Sequence, residues 1–188
     1  MYAYQLKNRP EEYKVIVASS YYLSKELGLG IRSFQAKLAS DEPLIDIWKL
    51  VDITPEKHFP TAECLPDVSV WGNGWLVFSS EAREKLAKYL IDAGEFLPIA
   101  VEGSKMFVFH CTVWGKEDKA ECITHYIDGE ADGLDYLTFD QVDIQAKLLF
   151  KSKLQGGSAL YCSSSFKALC HELELNGLRY DENLINSF

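Results

Sequence analysis

Apolar residues fall along the chain in short blocks, many of the length and β-branched content of strands. Val15-Ile16-Val17, within residues 13–18, predicts an early strand after a turn at Asn8-Arg9-Pro10. Val68-Ser69-Val70-Trp71 and Trp75-Leu76-Val77-Phe78 flank Gly72-Asn73-Gly74, which predicts a hairpin. Residues 96–101 and 106–114 flank Glu102-Gly103-Ser104 and predict another. On the second of these strands Phe107, Phe109, Cys111 and Val113 share one face, and Val108, His110, Thr112 and Trp114 the other. Residues 44–51 alternate too loosely to separate helix from strand. Pro55, Pro60 and Pro66 make residues 52–67 an irregular link between two parts of one domain.

An internal echo organises the second part. Trp75-Leu76-Val77-Phe78-Ser79-Ser80 opens a helical stretch through Leu86 and Leu90 to Ala93-Gly94, then Phe96-Leu97-Pro98-Ile99. Ala159-Leu160-Tyr161-Cys162-Ser163-Ser164 opens another through Phe166, Leu169 and Leu173 to Asn176-Gly177, then Leu178-Arg179-Tyr180. Paired serines suit a helix N-cap, and glycine suits the left-handed residue that ends a helix. The sequence therefore predicts an α+β fold, mostly antiparallel, with two serine-capped strand-helix-strand units. Residues 1–188 form one domain in this reading, with 1–66 as an N-terminal part and 67–188 carrying the two units.

Composition narrows the class. At 188 residues, 47% apolar and 25% charged, the chain is long enough to bury a core without staples. Its five cysteines include no CxxC pair, which suits reduced thiols, and the N-terminus lacks the order of a signal peptide, which suits the cytoplasm. The net charge of −9 argues against nucleic acid as a partner, and no apolar run is long enough for a membrane span. That charge is concentrated. Residues 117–143 hold nine acids and the single base Lys119, leaving the remainder near neutral. Such a block belongs at the surface, where it solubilises the protein or steers a cationic partner.

Candidate chemistry is sparse. Asp128-Gly129-Glu130-Ala131-Asp132-Gly133 matches the start of an EF-hand loop, but Asp135 stands at position 8 and Phe139 replaces the bidentate Glu at 12. His110, Cys111, Cys122 and His125 are zinc-ligand types, yet the adjacent pair on a strand points to opposite faces. The serine pairs lie in no GxSxG or SxxK, Cys170-His171 is adjacent on a helix, and Gly28-Leu29-Gly30 follows no strand. No catalytic residue, metal or cofactor is expected. Two other classes stay open: a metal-assisted hydrolase using His110, His125 and the acids of 117–143, and a scaffold self-associating through Trp71 and Trp75.

The arrangement resembles the immunity-protein family, formerly a domain of unknown function, that accompanies bacterial polymorphic toxins. The elements carrying it are Leu65-Pro66-Asp67, residues 75–86 with Ser79-Ser80, Phe96-Leu97-Pro98, and residues 159–180 with Asn176-Gly177-Leu178-Arg179. Cys162 departs from the aliphatic or aromatic residue expected there. The resemblance implies a non-catalytic cytoplasmic protein that binds and neutralises a cognate toxin delivered between competing bacteria. With the acidic block, it points to a toxin with a basic surface, such as a nuclease, met by Asp128, Glu130, Asp132 and Asp135.

Overall fold

The computed structural model describes residues 2–72 and 74–185. In chain order the elements are β1 (Ala3–Asn8), α1 (Ser20–Glu26), α2 (Ile31–Ser40), β2 (Val51–Ile53), β3 (Val68–Gly72), β4 (Trp75–Ser79), α3 (Ser80–Leu90), β5 (Gly94–Val101) and β6 (Ser104–Cys111). They continue with β7 (Ile123–Ile127), β8 (Glu130–Tyr136), α4 (Gln141–Gln145), β9 (Leu149–Lys151), β10 (Leu160–Ser163), α5 (Ser164–Glu172) and β11 (Leu178–Asp181). One sheet has the order β2-β5-β6-β4-β3, with only β2 and β5 parallel. A second, wholly antiparallel, has the order β11-β1-β10-β9, and β7 pairs only with β8. Helices and mostly antiparallel sheets make this an α+β fold.

The echo in the sequence is an echo in topology. In the first unit β4 leads through α3 to β5, with β6 hydrogen-bonded antiparallel between them and β3 outside β4. In the second, β10 leads through α5 to β11, with β1 between them and β9 outside β10. Ser79 faces Met106 and Gly94 faces Cys111; Ser163 faces Ala3 and Leu178 faces Asn8. Ser79 to Ser163 and Gly94 to Leu178 are each 84 positions apart, so the register is conserved through both helices. The second unit takes its central strand from the N-terminus, where the sequence pattern suggests no element. β1, from the N-terminal part, completes the last sheet.

The two units share one core. Leu76, Phe78 and Phe109 of the first sheet meet Tyr4, Leu6 and Cys162 of the second, with Leu86 of α3 and Phe166 of α5 among them. Cys162 packs here as a small hydrophobe. The other face of the first sheet carries Val77 and Val108 against Leu23, Phe34 and Trp48. The other face of the second carries Tyr161 and Phe150 against Leu137, Phe139 and Ile144. The alternation along β6 is therefore as the pattern predicts, with Phe109 and Cys111 on one side and Val108 on the other.

Four local expectations need correction. Residues 13–18 make only single bridges, Tyr13 with Cys64 and Val15 with Glu56, because no neighbouring strand runs alongside. Trp71 and Trp75 are buried, so they offer no self-association surface. Of the paired serines, Ser79 caps α3 by accepting from Ala82 N at 3.1 Å, whereas Ser163 makes no capping bond and its buried hydroxyl has no partner among the described residues. Ser80 and Ser164 play a shared part instead: each donates to the opposite strand, to Lys105 O at 2.7 Å and Tyr2 O at 3.1 Å. Finally, the glycines do not supply the left-handed helix ends. Ile91 after α3 is right-handed, and the first positive φ after α5 belongs to Glu174, three residues before Gly177, whose φ is 104°. Gly94 and Gly177 are required for close approach, since a Cβ would sit 2.0 Å from His110 O and 2.3 Å from Val68 O respectively.

Candidate partner-binding surface

The acidic segment has structural ends and an exposed middle. Glu117 is 9% exposed, and its Oε1 accepts from Ser152 Oγ at 2.8 Å, Lys153 N at 2.6 Å and Leu154 N at 3.1 Å. Burial pushes the Glu117 carboxyl up, but these hydrogen bonds outweigh it and hold the group below its ordinary value. Asp140 caps α4, accepting from Val142 N at 2.9 Å, and the Lys116 ammonium at 2.7 Å holds its carboxyl low. Burial likewise raises Asp143, and Lys147 together with Lys116 N more than reverses it. These acids anchor the segment, so it is not one solvated face.

Between them stands the β7–β8 hairpin, joined to neither larger sheet. Ile127 pairs with Glu130 across Asp128 and Gly129, whose φ values of 51° and 87° make the turn that Asp-Gly favours between twisted strands. The six-residue match to a calcium loop is therefore a turn plus a strand, and Phe139 lies in the core. Asp128, Glu130, Asp132 and Asp135 are all exposed. The first three form no ion pair among the described residues, while Asp135 shares a hydrogen bond of 2.9 Å with His125 Nδ1. Interleaved with them, Ile123, Tyr126, Ile127 and Tyr136 are each more than half exposed. Sequence reasoning from charge alone missed these four apolar residues, although Asp-Gly between β-prone runs was a legible hairpin signal.

The hairpin is rooted rather than loose. Leu134 packs on the cluster of Leu137, Phe139 and Ile144, and Thr138 N donates to Cys122 Sγ at 3.5 Å. At its base a cleft of about 480 Å³ lies between Tyr136 and the C-terminal segment, bordered by Tyr2, Asp135 and Glu182. Val142 beside it is 80% exposed. Protruding acids set among exposed aromatic and aliphatic side chains suit a protein interface with a basic rim and an apolar centre.

Away from the hairpin, the polar clusters are held mainly by contacts within the fold. His110, fully buried, shares a 3.0 Å hydrogen bond with Glu95, which also accepts from Leu44 N and Ile45 N; the other ring nitrogen has no partner among the described residues. Trp75 packs against that imidazole at 5.2 Å. Cys111 points to the opposite face, and Cys122 and His125 lie on the hairpin side, so the four zinc-type residues do not converge. Among the described residues no group of three His, Cys, Asp or Glu is placed to hold a metal ion. A hollow of about 430 Å³ between α2 and residues 156–158 contains Lys151, but its ammonium is paired with Asp41 and lies 4.3 Å from the Trp114 ring centre. No described helix is long and apolar enough to cross a membrane. No family model matches the chain, and no curated protein matches it either.

Proposed function

We propose that this protein is a non-catalytic immunity protein that binds and neutralises a cognate bacterial toxin in the cytoplasm, using the β7–β8 hairpin as its main contact. The observation that carries the reading is the hairpin: four exposed acids share it with Ile123, Tyr126, Ile127 and Tyr136. The resemblance of residues 65–183 to immunity proteins supports the same reading. The acids attract and orient a basic toxin face, and the apolar side chains supply the desolvated centre that slows release. A nuclease is the fitting toxin class, since its site must grip phosphate. His110 and His125 are held by separate carboxylates, Glu95 and Asp135, which weakens the alternative of a hydrolase that uses both.

The test looks for a toxin domain encoded beside the gene and co-expresses it with the protein; a neighbourhood without one would count against the reading. Reversing Asp128, Glu130, Asp132 and Asp135 to Lys should slow association about tenfold or more at low salt and flatten its salt dependence. Tyr126→Ala with Ile127→Ala should instead raise the dissociation rate. Full protection and unchanged association in both variants would remove the hairpin from the interface.

A further inference from the structure

The two units share a cation–aromatic stack but differ in the surface around it. Each sets a helix cation over a perpendicular aromatic pair. In the first, Arg83 of α3 lies 5.3 Å from the Phe107 ring and 5.7 Å from Phe96, whose rings cross at 89°. In the second, Lys167 of α5 lies 4.1 Å from Tyr4 and 5.6 Å from Tyr180, crossing at 83°. These are equivalent positions, so the cation–aromatic stack belongs to the fold.

What surrounds the stack does not repeat. Beyond α5 a groove of about 580 Å³ runs past Tyr4, Tyr180, Leu175 and Leu178, with Arg9, Lys167 and His171 along it and no carboxylate in its lining. The corresponding hollow of the first unit is about 210 Å³ and carries Asp92 and Glu95 with no cation. By register, Thr112 stands where the second unit has Arg9, and Ala87 where it has His171. Arg9 reaches Glu12 at the exposed rim, while Lys167 makes no ion pair among the described residues. Outside residues 117–143 acids and bases nearly balance, so a groove that gathers Arg9 and Lys167 over an aromatic and leucine floor, with no carboxylate in its lining, is a local segregation of charge.

We infer that this groove is a second docking site, for an acidic peptide segment of a partner protein. Carboxylates of the segment would meet Lys167 and Arg9, with the His171 ring beside them, and an apolar side chain between them would lie on Tyr180 and Leu178. Mobile ligand carboxylates can displace the exposed Glu12 contact, since such surface pairs are weak. A nucleic acid fits poorly, because few cations face it and the rest of the molecule repels phosphate. The inference is independent of the hairpin, which lies on the acidic segment and calls for a basic partner.

The experiment titrates the full chain against a short fluorescein-labelled peptide of alternating Glu and Leu, followed by anisotropy. Binding should saturate, weaken about tenfold when Gln replaces Glu in the peptide, and fall with added salt. Arg9→Glu with His171→Glu should weaken it about tenfold, as should Lys167→Met, which keeps apolar packing on the rings. Melting curves of both variants should overlay the parent, separating loss of binding from loss of fold. Absence of saturable binding, equal binding of the Gln peptide, or variants that bind normally would each overturn the inference. So would displacement by millimolar inorganic phosphate alone, which would make this a small-anion site.

Discussion

Ser79 and Ser163 occupy the same helix-initiating position with the same extended backbone, φ −61° and −80°, yet their hydroxyls have different surroundings. Ser79→Ala removes a capping bond to Ala82 N and should cost about 1 kcal/mol of stability. Ser163→Ala removes a buried hydroxyl with no partner among the described residues, so it should be neutral or stabilising by up to about 1 kcal/mol. Urea midpoints of the two variants make the comparison, and equal losses would contradict it. Glu117 is the other decisive single residue. Glu117→Ala removes the acceptor of the Ser152 hydroxyl and of the Lys153 and Leu154 amides, and should lower stability by about 2–3 kcal/mol. The carboxyls of Glu117, Asp140 and Asp143 are all depressed in the folded state. Their stabilisation is full above the ordinary values of 4.5 and 3.8 and is lost as pH falls through and below them. Urea midpoints measured from pH 7 to pH 3 should therefore drop most steeply below about pH 4.5, and less so in Glu117→Gln.

At the scale of elements, the hairpin behaves differently from the strands around the shared core. A lone two-stranded ribbon is marginal by itself, and β7–β8 is tied down at its root, where Leu134 packs on the core and Thr138 N donates to Cys122 Sγ. Its amides should exchange with solvent well before those of β4, β6 or β10. Replacing residues 125–133 with a short Gly-Ser link should leave the thermal midpoint within about 3 °C while abolishing toxin protection. A large drop in the midpoint would show that the hairpin is part of the core rather than a device mounted on it. The distribution of acids agrees with this division: Glu117, Asp140 and Asp143 near the root are hydrogen-bonded, and Asp128, Glu130 and Asp132 towards the tip face solvent.

For the whole molecule, the second sheet depends on a strand from the opposite end of the chain. β1 lies between β10 and β11, and Tyr4 and Leu6 enter the shared core. Removing residues 1–8 leaves β10 and β11 without their common partner and opens a cavity beside Phe166. The truncated chain should lose its near-ultraviolet circular dichroism and cooperative melt. A synthetic peptide of residues 2–9 added in trans should restore part of both, because the strand supplies pairing and two core side chains but no loop closure. A truncated chain that melts like the parent would show that β1 is dispensable.

Local information determined much of this protein. The hairpins around residues 72–74 and 102–103, the helices after the serine pairs and the alternation along β6 all follow from turn chemistry and periodicity read within a few residues. The repeat itself was visible at its offset of 84 because both copies keep the same order of apolar, serine and glycine positions. Tertiary structure decided the rest, wherever a residue's partner lies far away in sequence. Ala3–Asn8 reads as no strand alone and becomes one only between β10 and β11. Val15-Ile16-Val17 has strand composition yet finds only isolated bridges. Gly94 and Gly177 looked like helix terminators and are instead spaces for distant carbonyls. Charge was countable from the sequence, but which acids are bound and which reach solvent depended on donors such as Ser152 and Lys147. A hydrogen bond or a core contact is a property of two positions, and only the folded chain brings those positions together.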